Sequence, residues 1–214
     1  SYKNELSGAG SFFIPFGEKV PLNNEKDFIR GYGIWGAIDR FEPPSFLKKK
    51  KDTKIGFLIG HGEVLPYKDN KVSLSSKLDK WGIPIPYIDC KWKKNESNMV
   101  NHMNKVIDIS VKESGGEVLS LNELIKMPFL EPIISQAIAV QSKAPPPGYY
   151  IHEVGGARMG NEPEESVVDK WNRLWNCRNV LVVDGACWPT SSWQSPTLTM
   201  MAITRRACLE AIKN

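Results

Sequence analysis

The run Asn179-Val180-Leu181-Val182-Val183, closed by Asp184-Gly185, constrains the fold more than any other stretch of the chain. Four consecutive large apolar residues between turn formers cannot alternate between a wet face and a dry one. The pattern therefore predicts a strand covered on both faces, as in a parallel sheet. Beyond it, Met200 to Ile212 carries apolar residues at helical spacing, with Ser195 placed to cap the helix and Pro196 at its first position. Such a helix start leaves backbone N–H groups free and favours a negatively charged ligand atom. Ahead of both lies a glycine-flanked histidine in Ile151-His152-Glu153-Val154-Gly155-Gly156-Ala157-Arg158-Met159-Gly160. Read together, the three pieces form part of a cofactor site.

Upstream, Gly8 to Phe16 and Gly31 to Gly36 alternate small and large apolar residues, which implies a loop and then a strand closely approached by other backbone. Ile55 to Leu65 reads as a strand, the Asp69-Asn70 turn follows, and Val72 to Leu74 begins a second strand, so a hairpin is expected between these two. Ile83 to Trp92 contains Pro84 and Pro86, which confine it to a sheet edge or an irregular strand. A helix is expected from Glu96 to Ser114, where Met99, Val100, Met103, Val106, Ile107 and Val111 recur at three-and-four spacing before Gly115-Gly116. A weaker helical pattern covers Pro132 to Val140. Ala144-Pro145-Pro146-Pro147-Gly148 is a stiff connector and the best boundary, dividing the chain into 1–147 and 148–214. The fold class is α+β: a mostly antiparallel sheet with helices on one face, followed by the strand-turn-helix.

The formal net charge of +4 is concentrated at Lys48-Lys49-Lys50-Lys51, where no aromatic residues interleave, so the run reads as a solvated loop and no nucleic-acid partner is expected. No transmembrane segment is expected either, since no apolar run approaches the roughly 18 residues that span a bilayer. Cys90, Cys177, Cys187 and Cys208 lack metal-ligand spacing; no metal is expected, and four separated cysteines fit a reducing, cytoplasmic setting. Because the chain opens on Ser1 rather than Met, a processed chain or a fragment is expected.

Residues 149 to 214 resemble the C-terminal part of the glucose-methanol-choline (GMC) oxidoreductases, flavoenzymes that oxidise alcohols and sugars with FAD. His152, Gly155, Gly156 and Met159 match that family's histidine segment; Val182, Val183, Asp184 and Gly185 its strand end; Pro196 and Thr199 its helix start. The histidine segment is most similar to the bacterial sugar, gluconate and glycoside dehydrogenase branch. Gly62-Glu63-Val64-Leu65-Pro66, Trp81-Gly82-Ile83-Pro84 and the helix after Asn95 resemble the substrate domain more loosely. A Gly-x-Gly-x-x-Gly fingerprint that opens a dinucleotide-binding fold between a strand and a helix is not expected here, since the one stretch with that glycine spacing, Gly31-Tyr32-Gly33-Ile34-Trp35-Gly36, falls in the loop-and-strand segment above. The resemblance thus implies the C-terminal portion of a longer enzyme, whose missing N-terminal FAD-binding portion is a partner and without which FAD is poorly held.

The resemblance implies further that His152 is the base, or the hydrogen-bond partner, of an alcohol or sugar substrate's hydroxyl, since a neutral imidazole suits that task. The second catalytic position, normally histidine or asparagine, is here Ser195. It can donate a hydrogen bond to substrate, or it can cap the helix, and if it only caps, Gln194 or a water takes the second role. Asp184, Gly185, Ala186, Pro196 and Thr197 are the implied FAD contacts, with Asp184 as a plain turn cap the rival reading. Trp193 and Gln194 are candidate substrate contacts. Trp35, Trp188, Tyr149 and Tyr150 offer sugar-stacking surfaces or simply core. Arg158 binds an anion or holds its loop through a carboxylate, Met200 and Met201 pack the helix, and His61 and His102 read as structural. The electron acceptor is left open, and two rival activities stand beside oxidation: an FAD-containing lyase and a degenerate binding module.

Overall fold

The structure is a computed structural model that describes residues 10–20, 22, 26–38, 54–119, 144–149 and 151–213. The expected helix at 132–140 and Tyr150 lie outside the described residues. The fold is α+β, and it divides into two units, Ser1–Gly62 with Lys94–Pro145 and Glu63–Lys93 with Pro146–Asn214.

The first unit is an antiparallel sheet of β1 (Gly10–Ile14), β2 (Tyr32–Ile38) and β3 (Gly56–Gly62), with β2 in the centre. Pairing sets Ile34 opposite Gly60 and Tyr32 opposite Gly62, so these four residues share one face. The two glycines open room on that face. A Cβ on Gly60 would run into Met103 Sδ, and one on Gly62 into Met99 Sδ.

The second unit begins with a ribbon of β4 (Lys71–Leu78) and β5 (Pro84–Asp89). The helix α1 (Lys94–Glu113) belongs to the first unit and starts two residues ahead of the expected position. It covers the glycine face with Met99, Met103 and Val106, which form a buried core with Phe28, Tyr32 and Ile34. Gly115, in the left-handed region at φ +75°, ends it, with its N–H bonded to Lys112 O at 2.9 Å.

The hairpin is not where the sequence placed it. β3 pairs with β2, whereas β4 pairs with β5 across Asp79 to Ile83. The stronger turn wins: Asp79 Oδ1 accepts from Trp81 N at 2.8 Å and Ile83 N at 2.9 Å, and Gly82 takes φ +81°. Asn70 instead serves the ribbon's base, accepting from Lys91 N at 3.0 Å. Pro84 and Pro86 donate nothing to the ladder, and its register slips between Leu74 and Leu78.

In the rest of the second unit, β6 (Arg173–Leu174) pairs antiparallel with β7 (Cys177–Leu181), and α2 (Thr197–Ala211) follows. The expected strand covered on both faces is thereby corrected. β7 starts two residues early, has β6 as its one neighbour among the described residues, and is exposed from Cys177 to Val180. Covering an apolar run requires neighbouring strands, and the described residues supply one. Around it, Val168, Cys187 and Trp188 are buried with Val154, Met159, Leu174, Val182, Met200 and Ile203 packed against them. Asn172, fully buried at φ 68°, ties this core together: its Nδ2 donates to Val182 O at 2.8 Å and its Oδ1 accepts from Arg206 Nη2 at 3.0 Å.

Candidate functional site

Two of the three sequence motifs, the histidine loop and the strand end, meet in the second unit through backbone hydrogen bonds, and the start of α2 lies against them through the Met200 side chain. Asp184 ends the strand segment and starts a 3₁₀ turn, Gly185–Cys187. Each carbonyl of that turn receives an N–H from the histidine loop: Gly155 N to Gly185 O at 3.3 Å, Ala157 N to Ala186 O at 2.8 Å, and Met159 N to Cys187 O at 2.7 Å. The fit demands glycine at 185. A Cβ there would lie 2.9 Å from Glu153 O and 3.0 Å from Met200 Cε, so Gly185 closes at once on the histidine loop and on the start of α2. Gly155 stands at φ +86°, which a side chain would resist.

His152 is half-buried and its backbone is itself left-handed, at φ 78°. Histidine tolerates that region better than most residues, yet the conformation costs energy and persists where its surroundings impose it. Here the imposing element is the ladder that begins three residues later. Arg158 holds the same loop through a backbone carbonyl, donating from Nε to Glu165 O at 2.7 Å, and no carboxylate is needed.

Asp184 Oδ1 accepts from Ala186 N at 3.0 Å, so the aspartate caps the turn whatever else it touches. Cys187 donates from Sγ to Asp184 O at 3.1 Å, and burial pushes its thiol up from the usual range, which leaves it a poor nucleophile.

Ser195 does not cap α2. Pro196 occupies the N-cap position at φ −81° and ψ −16°, and the first helical bond is Met200 N to Pro196 O at 3.0 Å. Among the described residues the Ser195 hydroxyl has no hydrogen bond, and it is exposed with Gln194 and Thr197. These three stand on the loop and the helix start, outside the ladder that joins the other two motifs. Trp193, ahead of them in the loop, is half-buried, whereas Trp188 is core and Tyr149 is exposed. Met200 packs inward as expected, but Met201 is exposed, because one helix face cannot serve two adjacent positions. His61 and His102 are engaged in the first unit, accepting from Trp35 Nε1 at 3.3 Å and lying 2.7 Å from Tyr32 Oη, respectively.

A flavin fits part of this arrangement. Thr197, Leu198 and Thr199 precede the first helical bond, so their N–H groups face outward with the positive end of the helix. A phosphate cradle is another matter, since the Ala186 N–H is already taken by Asp184. The sequence also gave no sign of Thr190, whose hydroxyl donates to Val64 O at 2.7 Å and Glu63 Oε1 at 3.0 Å.

Residues 66–204 match the family described as GMC oxidoreductase. The chain is 31% identical to the fructose dehydrogenase large subunit of Gluconobacter japonicus, over 78% of this chain and 28% of that protein. It is 30% identical to paromamine 6'-oxidase of Streptomyces fradiae, over 66% of this chain and 23% of that protein. With 2-methyl-1,2-propanediol dehydrogenase of Mycolicibacterium austroafricanum it shares 46% identity, over 29% of this chain and 11% of that protein. The chain thus spans little more than a quarter, at most, of these relatives.

Proposed function

This chain belongs to the GMC oxidoreductase family, and from that premise we propose that it forms the His152-bearing portion of an FAD-dependent enzyme oxidising a CH–OH group of an alcohol, polyol or sugar. The carrying observation is the ladder from Gly155, Ala157 and Met159 to the turn at Gly185–Cys187, which locks the left-handed His152 segment against the strand end. Relatives named for a propanediol, for paromamine and for fructose support a hydroxyl-bearing substrate.

Oxidation of a carbinol requires that the hydroxyl lose a proton as the carbon loses a hydride. Bound FAD would supply the hydride acceptor, at N5. His152 takes the hydroxyl proton or orients it, and a rigid loop holds the imidazole for that task at little entropic cost. Ser195, with no cap to serve, donates its hydroxyl to the substrate oxygen, and Trp193 and Gln194 flank that position. Were FAD bound, Thr197 and its neighbours would offer N–H groups to its negatively charged edge, and Asp184, Gly185, Ala186 and Pro196 would be the other residues that hold it. The phosphates would be held by a nucleotide-binding portion outside residues 1–214, and that portion is the proposed partner.

The test combines the chain with a flavin-binding portion, replaces His152 by Ala, and follows flavin bleaching with a panel of polyols. Loss of a general base lowers the reductive rate by about 10²–10⁴-fold. Undiminished bleaching would sink the role of His152. Product formation without any bleaching would identify the lyase instead.

A further inference from the structure

The loop between the 3₁₀ turn and α2, residues 188–196, carries Trp193, Gln194 and Ser195. Within it, the Ser192 hydroxyl accepts from Gln194 N at 2.9 Å. Thr190 reaches outside it. Its half-buried hydroxyl lies 2.7 Å from Val64 O and 3.0 Å from Glu63 Oε1, a contact that joins positions 127 residues apart. Glu63 and Val64 are the first residues of the second unit, where the chain leaves β3 for the ribbon. A single proton shared between a backbone carbonyl and a carboxylate makes a directed tie, partly charge-assisted. Removing the hydroxyl takes this tie from both acceptors.

We propose that Thr190 is a positioning residue, whose hydroxyl, held by Val64 and Glu63, fixes the 188–196 loop so that Ser195 meets the substrate at the start of α2. Its functional meaning rests on the reading of the site given above. The tie itself is independent of that reading. Ser195 has no cap of its own, and Pro196 gives it no donor to share, so the orientation of its hydroxyl depends on where the loop is pinned.

The experiment compares Thr190→Val with Thr190→Ser by backbone ¹⁵N relaxation on the full-length flavin-loaded enzyme that contains this chain. In the parent and in Thr190→Ser the amides of Ser191, Ser192, Trp193, Gln194 and Ser195 are rigid, with order parameters near about 0.85, whereas in Thr190→Val they fall below about 0.6. Amides of α1 and α2 are unmoved. In the flavin-loaded enzyme, kcat/KM for the alcohol falls about tenfold in Thr190→Val and returns in Thr190→Ser. The proposal is overturned if Thr190→Val leaves the loop rigid, if Thr190→Ser loosens it equally, if disorder spreads through α1 and α2, or if the loop loosens while kcat/KM holds. Should His152→Ala prove fully active while these results stand, the base assignment falls and the tie survives.

Discussion

The site is held by residues chosen for what they lack. Gly185 has no Cβ to collide with Glu153 O, and Gly155 has none to oppose φ +86°. Replacing Gly185 with Ala forces a Cβ against the Glu153 carbonyl and should destabilise the second unit by about 1–3 kcal/mol, the usual cost of overpacking. Chemical denaturation checks this, and an unchanged midpoint would show that the histidine loop is free to withdraw. The motif residues and their membership of one site were legible in the sequence, but the contacts that join them were not. Spacing placed His152, Asp184 and Pro196 in order; only geometry shows Gly185 touching both neighbours. Thr190 and Glu63 were illegible for a plainer reason, since a polar pair so distant in sequence leaves no periodic trace.

At the scale of elements, α1 was readable because its apolar stripe repeats with the helical period, and a stripe of that kind has one way to be buried. Met103 fills the space above Gly60, so Met103→Ala should cost about 2–5 kcal/mol, whereas Ile109→Ala on the exposed side should cost little. Urea titration of the two variants separates them, and equal losses would refute the packing. The strand elements were harder to read. An apolar run announces a strand but not its neighbours, so β7 was expected within a parallel sheet and instead lies beside β6. The ribbon was misassigned because two turn signals competed, and the Asp79 to Gly82 loop, with two side-chain bonds and a left-handed glycine, closes more tightly than Asp69-Asn70. A related surprise is α2, which is apolar on two sides: Met200 and Ile203 pack inward, whereas Leu198, Met201 and Ile212 are exposed.

For the whole molecule, acid is the revealing variable. Burial holds the His102 imidazole below its usual value of 6.5; the charges of Lys105 and Lys26 push the same way, and Glu18 opposes them. Tyr32 Oη donates to Gly17 O at 3.0 Å and lies 2.7 Å from His102 Nδ1, so the imidazole sits in a packed contact that holds water away. The folded state therefore resists protonation more than the unfolded one does. Its stabilising contribution is complete above about pH 6.5 and is lost as pH falls through the folded value. Melting temperature should decline on acidification from about pH 7 to about pH 5.5, and His102→Gln should flatten that decline. An identical slope in the variant would assign the effect to another group.

The passage of the chain between its two units bears on how it is made and how it can be cut. Residues 63–93 leave the ribosome long before 146–214, the segment they belong with, and all of 94–145 must emerge in between. The ribbon thus spends part of synthesis without the segment that carries Thr190 and Glu165, although Val72, Leu74 and Ile88 stay open to water in the finished fold as well. For the same reason no single cut yields either unit whole. A break within 94–145 leaves fragments still joined by Thr190 to Glu63 and by Lys68 to Glu165, the behaviour of a split protein that reassembles from its pieces.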